Sequence, residues 1–338
     1  MRLPESELYP WVNSILQAVG LRPTDAVMVT DIFMRASRRE LGHHDLHDLP
    51  GRLQQLQSRA INPTPSFTPL RDEPGVYVFD GDGGLGELCC GHACRQAIER
   101  AQQTGIGLAS VRHSNHFLAG YPYAQIGAEQ NCMLLVYTNT DPSMTGPGGS
   151  EAVIGNNPIG FGAPGSTDTA PMLLDTAMAY SSIGNLKALQ QGNHRIPDYW
   201  ALDQERRPTT DPGAALAGWR VRPIGEHKGF GLALMHEVLT GVLSGGETTT
   251  GIASPGGLNT HSQTVIAIAA PDTPRGLLQL SRQLQEHNLR LPGAAAAERE
   301  LQSRHEGIGL QPQGISALVE WSRQLGVALP NSVQDSPD

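Results

Sequence analysis

The chain has 338 residues, 39% hydrophobic and 17% charged, with 39 glycines, 25 prolines and only 5% aromatics. A net charge of −9, with no basic stripe of interleaved aromatics, argues against holding a phosphate backbone, so nucleic acid is excluded as a partner. No apolar run reaches the roughly 20 residues of a membrane span, and Glu5, Glu7 and Pro10 interrupt the place of a signal-peptide core.

The expectation is therefore a cytoplasmic α/β protein, rich in loops. Cys89, Cys90, Cys94 and Cys132 lack C-x-x-C spacing and read as reduced structural thiols.

In chain order, "SELYPWVNSILQAVGLRPTDAVMVTDIFMRASRREL" predicts two amphipathic helices broken at "LRPTD", with Thr24 or Asp25 capping the second. "LPGRLQQLQSRAINPTP" predicts a third helix, stopped by Asn62 and Pro63. β-favouring "GVYVF" leads into a glycine turn, then a helix over "ACRQAIERAQQ" and a strand over "GIGLASV". A helix over "YPYAQIGAEQ" and a buried strand over "CMLLVYTNT" follow, then a glycine- and proline-rich stretch from Asp141 to Gly165.

"APMLLDTAM" and "SQTVIAIAAP" read as strands, and "KGFGLALMHEVLTGVLSGG" as a largely apolar helix. "PRGLLQLSRQLQEHN" and "ISALVEWSRQLGV" read as closing helices, and the polar tail "NSVQDSPD" as a frayed end. Strands concentrated between helical ends suggest a central sheet domain, 71–274, with a helical layer from 1–70 and 275–330.

Gly81, Gly83 and Gly86 in "DGDGGLGE" have G-x-G-x-x-G spacing. A Rossmann grip also needs an acid at the end of the second strand. Here that strand runs into Arg112 and His113, and Asp80–Gly83 satisfies an ordinary tight turn. An arginine at that point suits a 2′-phosphate only if the turn is a cofactor grip.

Three segments carry denser chemistry: "GHHDLHDLP", "VRHSNHFLAGYPY" and "PIGEHKGFGLAL". In the last, Lys228 stands at the start of a helix, where free N–H groups and a cation together make an anion site. Glycines for close packing and a solvated lysine explain the same letters.

The chain resembles the type 2 malate/L-lactate dehydrogenases, from about Leu8 to Val327. The likeness lies in "LPGRLQQLQSRAINP", "GIGLASVRHSNHF", "TNTDP", "GGSEAVIGNNPIGFGAPG", "LLDTAMA", "IPDYWALD", "RPTTDP" and "GEHKGFGLALMHEVLTGVLSG". It implies an NAD- or NADP-dependent oxidoreductase on a non-Rossmann α/β fold with a large mixed sheet. A small-molecule substrate, either a 2-hydroxy/2-oxo acid or a cyclic imino acid, and a homodimer go with it. It makes "DGDGGLGE" a turn before a helix.

The family's S-H-G triplet falls on His43, His44 and Asp45, so the resemblance gives His44 the acid/base role. A second catalytic histidine falls on His116, and an orienting aspartate on Asp175. Hydride transfer to C=O or C=N needs a proton for the other atom, which a histidine near neutrality supplies. The resemblance does not decide which histidine donates it. It gives Thr140, Asp175, Thr176, Ala177, Ser181, His227, Lys228 and Gly293 to the cofactor.

Two departures stand out, the first being that the triplet's serine and glycine are His43 and Asp45 here. The family arginine that binds the substrate carboxylate is Asp48 here, with Arg52 one turn further on as a candidate substitute. An acid facing the pocket favours a substrate bearing an amine, imine, guanidinium or several hydroxyls. Two other readings remain open: a relative that binds ligand without turnover, and a metal-dependent hydrolase using the His43–Asp48 cluster.

Overall fold

Seven strands join into one mixed sheet in the order Thr68–Glu73, Val76–Asp80, Ile106–Ser114, His261–Ala269, Cys132–Thr138, Ile159–Ala163, Met172–Thr176. The computed structural model describes residues 1–252 and 257–334. Only Val76–Asp80 against Ile106–Ser114 is a parallel pair; the other neighbours are antiparallel. The sheet is therefore not the parallel, doubly wound one of a Rossmann fold. At its centre Val265 pairs with Ala109 on one side and Val136 on the other, and all three are buried. A strand covered on both faces reads as the continuous run "VIAIA" rather than as an alternation.

The helix Gly86–Thr104 lies on this sheet. Its approach requires Gly107, where a Cβ would fall 2.1 Å from the Ala97 carbonyl oxygen. Helices Glu5–Ala18, Pro23–Arg38 and Pro312–Leu325 join the same continuous core through Leu8, Ile15, Phe33 and Leu318. The two chain ends are tied directly. Arg2–Leu3 pairs antiparallel with Ile308–Gly309, and Trp11 Nε1 donates to Ser322 Oγ at 2.8 Å.

A second, smaller core surrounds four short strands: Ala201–Leu202, Arg220–Val221, Met144–Thr145 and Ala152–Ile154. Met144, Ile154, Met178, Leu186, Ile196 and Val221 fill it.

Several local expectations need correction. Neither Thr24 nor Asp25 caps the second helix: Pro23 opens it and Arg22 is its N-cap, without a side-chain bond. The third helix ends at Gln57, before Asn62. The helix expected over "ACRQAIERAQQ" begins seven residues earlier, at Gly86. Three strands, for which no expectation was set, occupy the glycine- and proline-rich stretch, at Met144–Thr145, Ala152–Ile154 and Ile159–Ala163. Helices Ile183–Gln191 and Ala294–Glu306 were not foreseen. The polar tail forms the helix Asn331–Gln334, where Ser332 donates to Glu7 through both its amide and its hydroxyl. The last four residues of that tail lie outside the described residues.

Candidate active site

The loop bearing the paired histidines is bent by two left-handed residues, Gly42 (φ +78°) and His44 (φ +55°). For His44 that conformation costs about 1–2 kcal/mol, so neighbouring anchors must hold it. Leu46 and Leu49 are buried, and the Leu46 amide donates to Ser37 Oγ at 3.2 Å. Asp45 accepts the His47 amide at 2.9 Å and so starts the 3-10 turn Leu46–Asp48, which runs into the helix Leu49–Gln57. His47 is committed to the scaffold: its Nδ1 meets Asp45 at 2.5 Å, and its Nε2 accepts the Gln311 amide at 3.2 Å. The Asp45 hydrogen bond raises the pKa of His47 against the effect of burial.

One helical turn brings Asp48 back to His44, with Nδ1 and Oδ2 3.3 Å apart. Burial alone would push the Asp48 carboxyl up. The hydrogen bond from His44 and the neighbouring charges, chiefly His44 and Arg52, outweigh it, holding Asp48 well below the usual carboxylate range. The His44 ring lies 5.2 Å from the His116 ring. A Cβ on Gly184 would sit 3.5 Å from His44 Nε2, so that nitrogen faces the start of the helix Ile183–Gln191. Sequence comparison gave the orienting role to Asp175. In the structure Asp48 partners His44, while Asp175 Oδ2 accepts the Gly120 and Tyr121 amides at 2.8 and 3.0 Å. Burial raises the Asp175 pKa, and those two amides oppose the rise.

Arg52 lines the same cavity, but not as an open fork for a carboxylate. Its Nε donates to Glu87 at 3.0 Å and its Nη2 to His116 Nδ1 at 2.9 Å. With two of three nitrogens committed, a bidentate grip on substrate is lost. Glu87 is fully buried, and burial raises its pKa while Arg52 opposes the rise. Glu87 carries no signal of its own in the sequence, because it directly follows the glycine motif as an ordinary acidic residue in the first turn of a helix.

Across the cavity the groups are mostly neutral. The Thr140 amide donates to Asn157 Oδ1 at 3.0 Å, and its hydroxyl to Asn156 Oδ1 at 3.1 Å. Asn157 and Asn139 are in turn bonded to buried Glu237, at 2.6 and 3.2 Å. Glu237 lies at the end of the apolar helix His227–Glu237 and also went unnoticed in the sequence. Thr140, Asp175, Thr176 and Ala177 line the cavity, as do Ser182, Lys187, Trp219 and His261.

Ser181, His227, Lys228 and Gly293 do not line it. Ser181 is buried just behind, accepting from Asn185 Nδ2 at 3.0 Å. His227 and Lys228 open their helix beside the strand-end segment, joined to it by the Ile224 amide bond to the Met178 carbonyl at 3.0 Å. Gly293 (φ +82°) packs on the Leu173 carbonyl oxygen, 2.4 Å from where its Cβ would be.

The amides of the turn Gly81–Gly84 are spent on the protein itself. Gly81 N donates to Arg112 O, Gly83 N to His113 O and Gly84 N to Gly81 O, each at 2.9 Å. Asn115, next to His116, donates to the Gly84 carbonyl at 2.8 Å. A Cβ on Gly86 would lie 2.2 Å from the Asn115 carbonyl oxygen. The turn supports the His116 loop and leaves none of these three amides for a diphosphate.

The cavity between these walls measures about 870 Å³, within the size of sites that enclose small ligands. Fold and cavity place the protein among α/β enzymes that act on small molecules without a Rossmann turn. The family model for malate/L-lactate dehydrogenase matches residues 3–319. A malate dehydrogenase of Pyrococcus abyssi is 35% identical over 254 residues, covering 73% of this chain and 69% of its own. A Δ1-pyrroline-2-carboxylate/Δ1-piperideine-2-carboxylate reductase of Pseudomonas putida is 26% identical over 95% of this chain and 96% of its own. Among solved structures, the sulfolactate dehydrogenase of Methanocaldococcus jannaschii superposes with a TM-score of 0.86 at 27% identity, covering 99% of both chains. The chain belongs to the malate/L-lactate dehydrogenase family and is an oxidoreductase.

Proposed function

We propose that this enzyme moves hydride between NAD or NADP and a small 2-hydroxy/2-oxo acid or cyclic imino acid, with His44 as its acid/base group. The observation that carries the reading is the His44 imidazole. Its Nδ1 is tied to Asp48, and it faces a cavity whose far wall holds Thr140, Asp175, Thr176 and Ala177. That wall mixes hydroxyls with apolar Pro158 and Ile183, which suits an amphiphilic ring and its ribose. When bound, the nicotinamide supplies or accepts the hydride.

His44 handles the accompanying proton at Nε2, because Nδ1 is engaged by Asp48. Thr140, Thr176 and Ala177 are the proposed cofactor contacts, with Asp175 beside them. Ser181, His227, Lys228 and Gly293 are left to the remoter part of the cofactor, where Lys228 at a helix N-terminus suits a phosphate. Asp48 stays ionised in the pocket, and among the described residues Arg52 Nη1 has no hydrogen-bond partner. A substrate with one carboxylate and a cationic or hydroxylated remainder fits this pair better than a plain dicarboxylate.

The test is a panel of 2-oxo acids and cyclic imino acids with NADH and NADPH, followed by loss of reduced-nicotinamide absorbance. At least one pair should turn over. Cofactor binding without oxidation anywhere in the panel would establish the non-catalytic relative instead. The hydrolase reading lacks geometric support: His44 and His47 bond to different carboxylates, and among the described residues no three ligating side chains gather.

The proposal includes a homodimer and a cytoplasmic setting. Leu232, Leu234, Met235, Val238 and Val242 are 41–60% exposed on one helix and its continuation, an apolar face that a second copy would cover. A monomer by light scattering would refute the dimer. Four free, buried thiols suit a reducing compartment, and no described helix is long and apolar enough to cross a membrane.

A further inference from the structure

We propose that Glu87 and Arg52 are positioning residues that hold His116 as a neutral imidazole with its proton on Nε2, so that His116 donates a hydrogen bond into the cavity while His44 exchanges the proton. The inference rests on the reading of this cavity as the active site.

The argument begins with donors. An arginine guanidinium and a backbone amide have protons to give and no lone pair to offer. Both are aimed at the same ring atom: Arg52 Nη2 stands 2.9 Å and the Leu118 amide 3.2 Å from His116 Nδ1. Nδ1 must therefore accept, which leaves the ring proton on Nε2. A second proton at Nδ1 would meet the Arg52 cation and strand two donors. The charged or titratable neighbours are Arg52, His44 and His261, which with burial disfavour the imidazolium, and Asp48, which favours it. His261 is in turn 3.4 Å from Asp141.

Arg52 holds this pose because Glu87 holds Arg52. Glu87 lies in the first turn of the helix Gly86–Thr104, where the helix dipole favours a carboxylate. Its Oε1 takes the Arg52 Nε–H at 3.0 Å. The helix start touches the His116 loop through Gly86 and the Asn115 carbonyl, so one element positions both partners. His44 is wired in the opposite sense. Its Nδ1 meets an acceptor, the Asp48 carboxylate, so Nδ1 carries a proton and Nε2 is free to gain or lose one. Two neighbouring imidazoles thus present Nε2 atoms with different duties: a fixed donor on His116 and an exchanging site on His44.

Side-chain ¹⁵N NMR of the full-length, deuterated protein tests this, with His116→Asn used to assign the resonance. Wild-type His116 should show the Nε2–H pattern and should not titrate between about pH 5 and 9. Arg52→Gln should let it titrate and add a second ionisation to the pH profile of kcat/KM. Glu87→Gln, which keeps the side-chain shape, should populate both tautomers. A wild-type His116 protonated at Nδ1, or an Arg52→Gln spectrum identical to wild type, would overturn the proposal. The wild-type spectrum decides even if a variant fails to fold. A locked His116 in a protein that turns over nothing would keep the lock and remove only the active-site reading.

Discussion

On the wall that carries His44 and His116, the ionisable side chains are paired: fully buried Glu87 with Arg52, buried Asp45 with His47, and half-exposed Asp48 with His44. Across the cavity, around Thr140, amides and hydroxyls predominate, with the carboxylates of Asp141, Asp175 and Glu237 among them. Charged pairs out of water fix where protons sit, because moving one leaves a partner uncompensated at several kcal/mol. Neutral hydrogen bonds set shape and contribute about 1 kcal/mol each. The first wall is therefore suited to moving a proton and the second to holding a ligand.

His44→Gln gives the largest expected effect. Loss of a positioned acid/base group should lower kcat by about 10²–10⁴ while leaving the cofactor KM nearly unchanged. Steady-state kinetics at saturating cofactor would show it. An unchanged kcat, or a loss confined to cofactor affinity, would mean that the two walls do not divide the work this way.

The histidine wall was only half legible in the sequence, for a physical reason. His44, His116 and Asp48 stand in motifs whose spacing survives as chemistry. Glu87 and Arg52 are 35 residues apart and meet only in three dimensions, and a buried ion pair leaves no periodic signal. Arg52 was accordingly read as a free anchor. The apolar strands were plain because buried side chains mark them. Ile159–Ala163 was not, because Gly160 and Gly162 interrupt it. Those glycines admit Gly120 and the Ala124 carbonyl, 2.6 and 2.4 Å from where a Cβ would be, so close packing erased the β-like letters. The early helix start at Gly86 was hidden in the same way, with Leu85 as an N-cap that makes no side-chain bond.

On the opposite wall, Thr140→Val removes one hydroxyl and leaves Asn156 Oδ1 without its 3.1 Å donor. The shape is kept, so the expected loss is that of about one hydrogen bond. The cofactor KM should rise roughly three- to tenfold, with kcat preserved. A fall in kcat instead would show that the Thr140 side also tunes the proton-moving groups.

The smallest effect is expected from Asp82→Ala, which lies on neither wall. Asp82 Oδ2 accepts from Asn62 Nδ2 at 2.9 Å and from the Ser66 amide at 3.0 Å, and its backbone is left-handed (φ +51°), where aspartate is tolerated better than alanine. These are exposed bonds, so the loss should be about 1 kcal/mol, or about 1–2 °C in Tm for a chain this large. Cofactor affinity should not move. Were the glycine triad a diphosphate grip, disturbing its central residue would weaken NAD or NADP binding far more than it lowered Tm. The ratio of those two changes therefore separates a turn that supports the His116 loop from one that holds a nucleotide, and the three amides already bonded to Arg112, His113 and Gly81 favour the supporting turn.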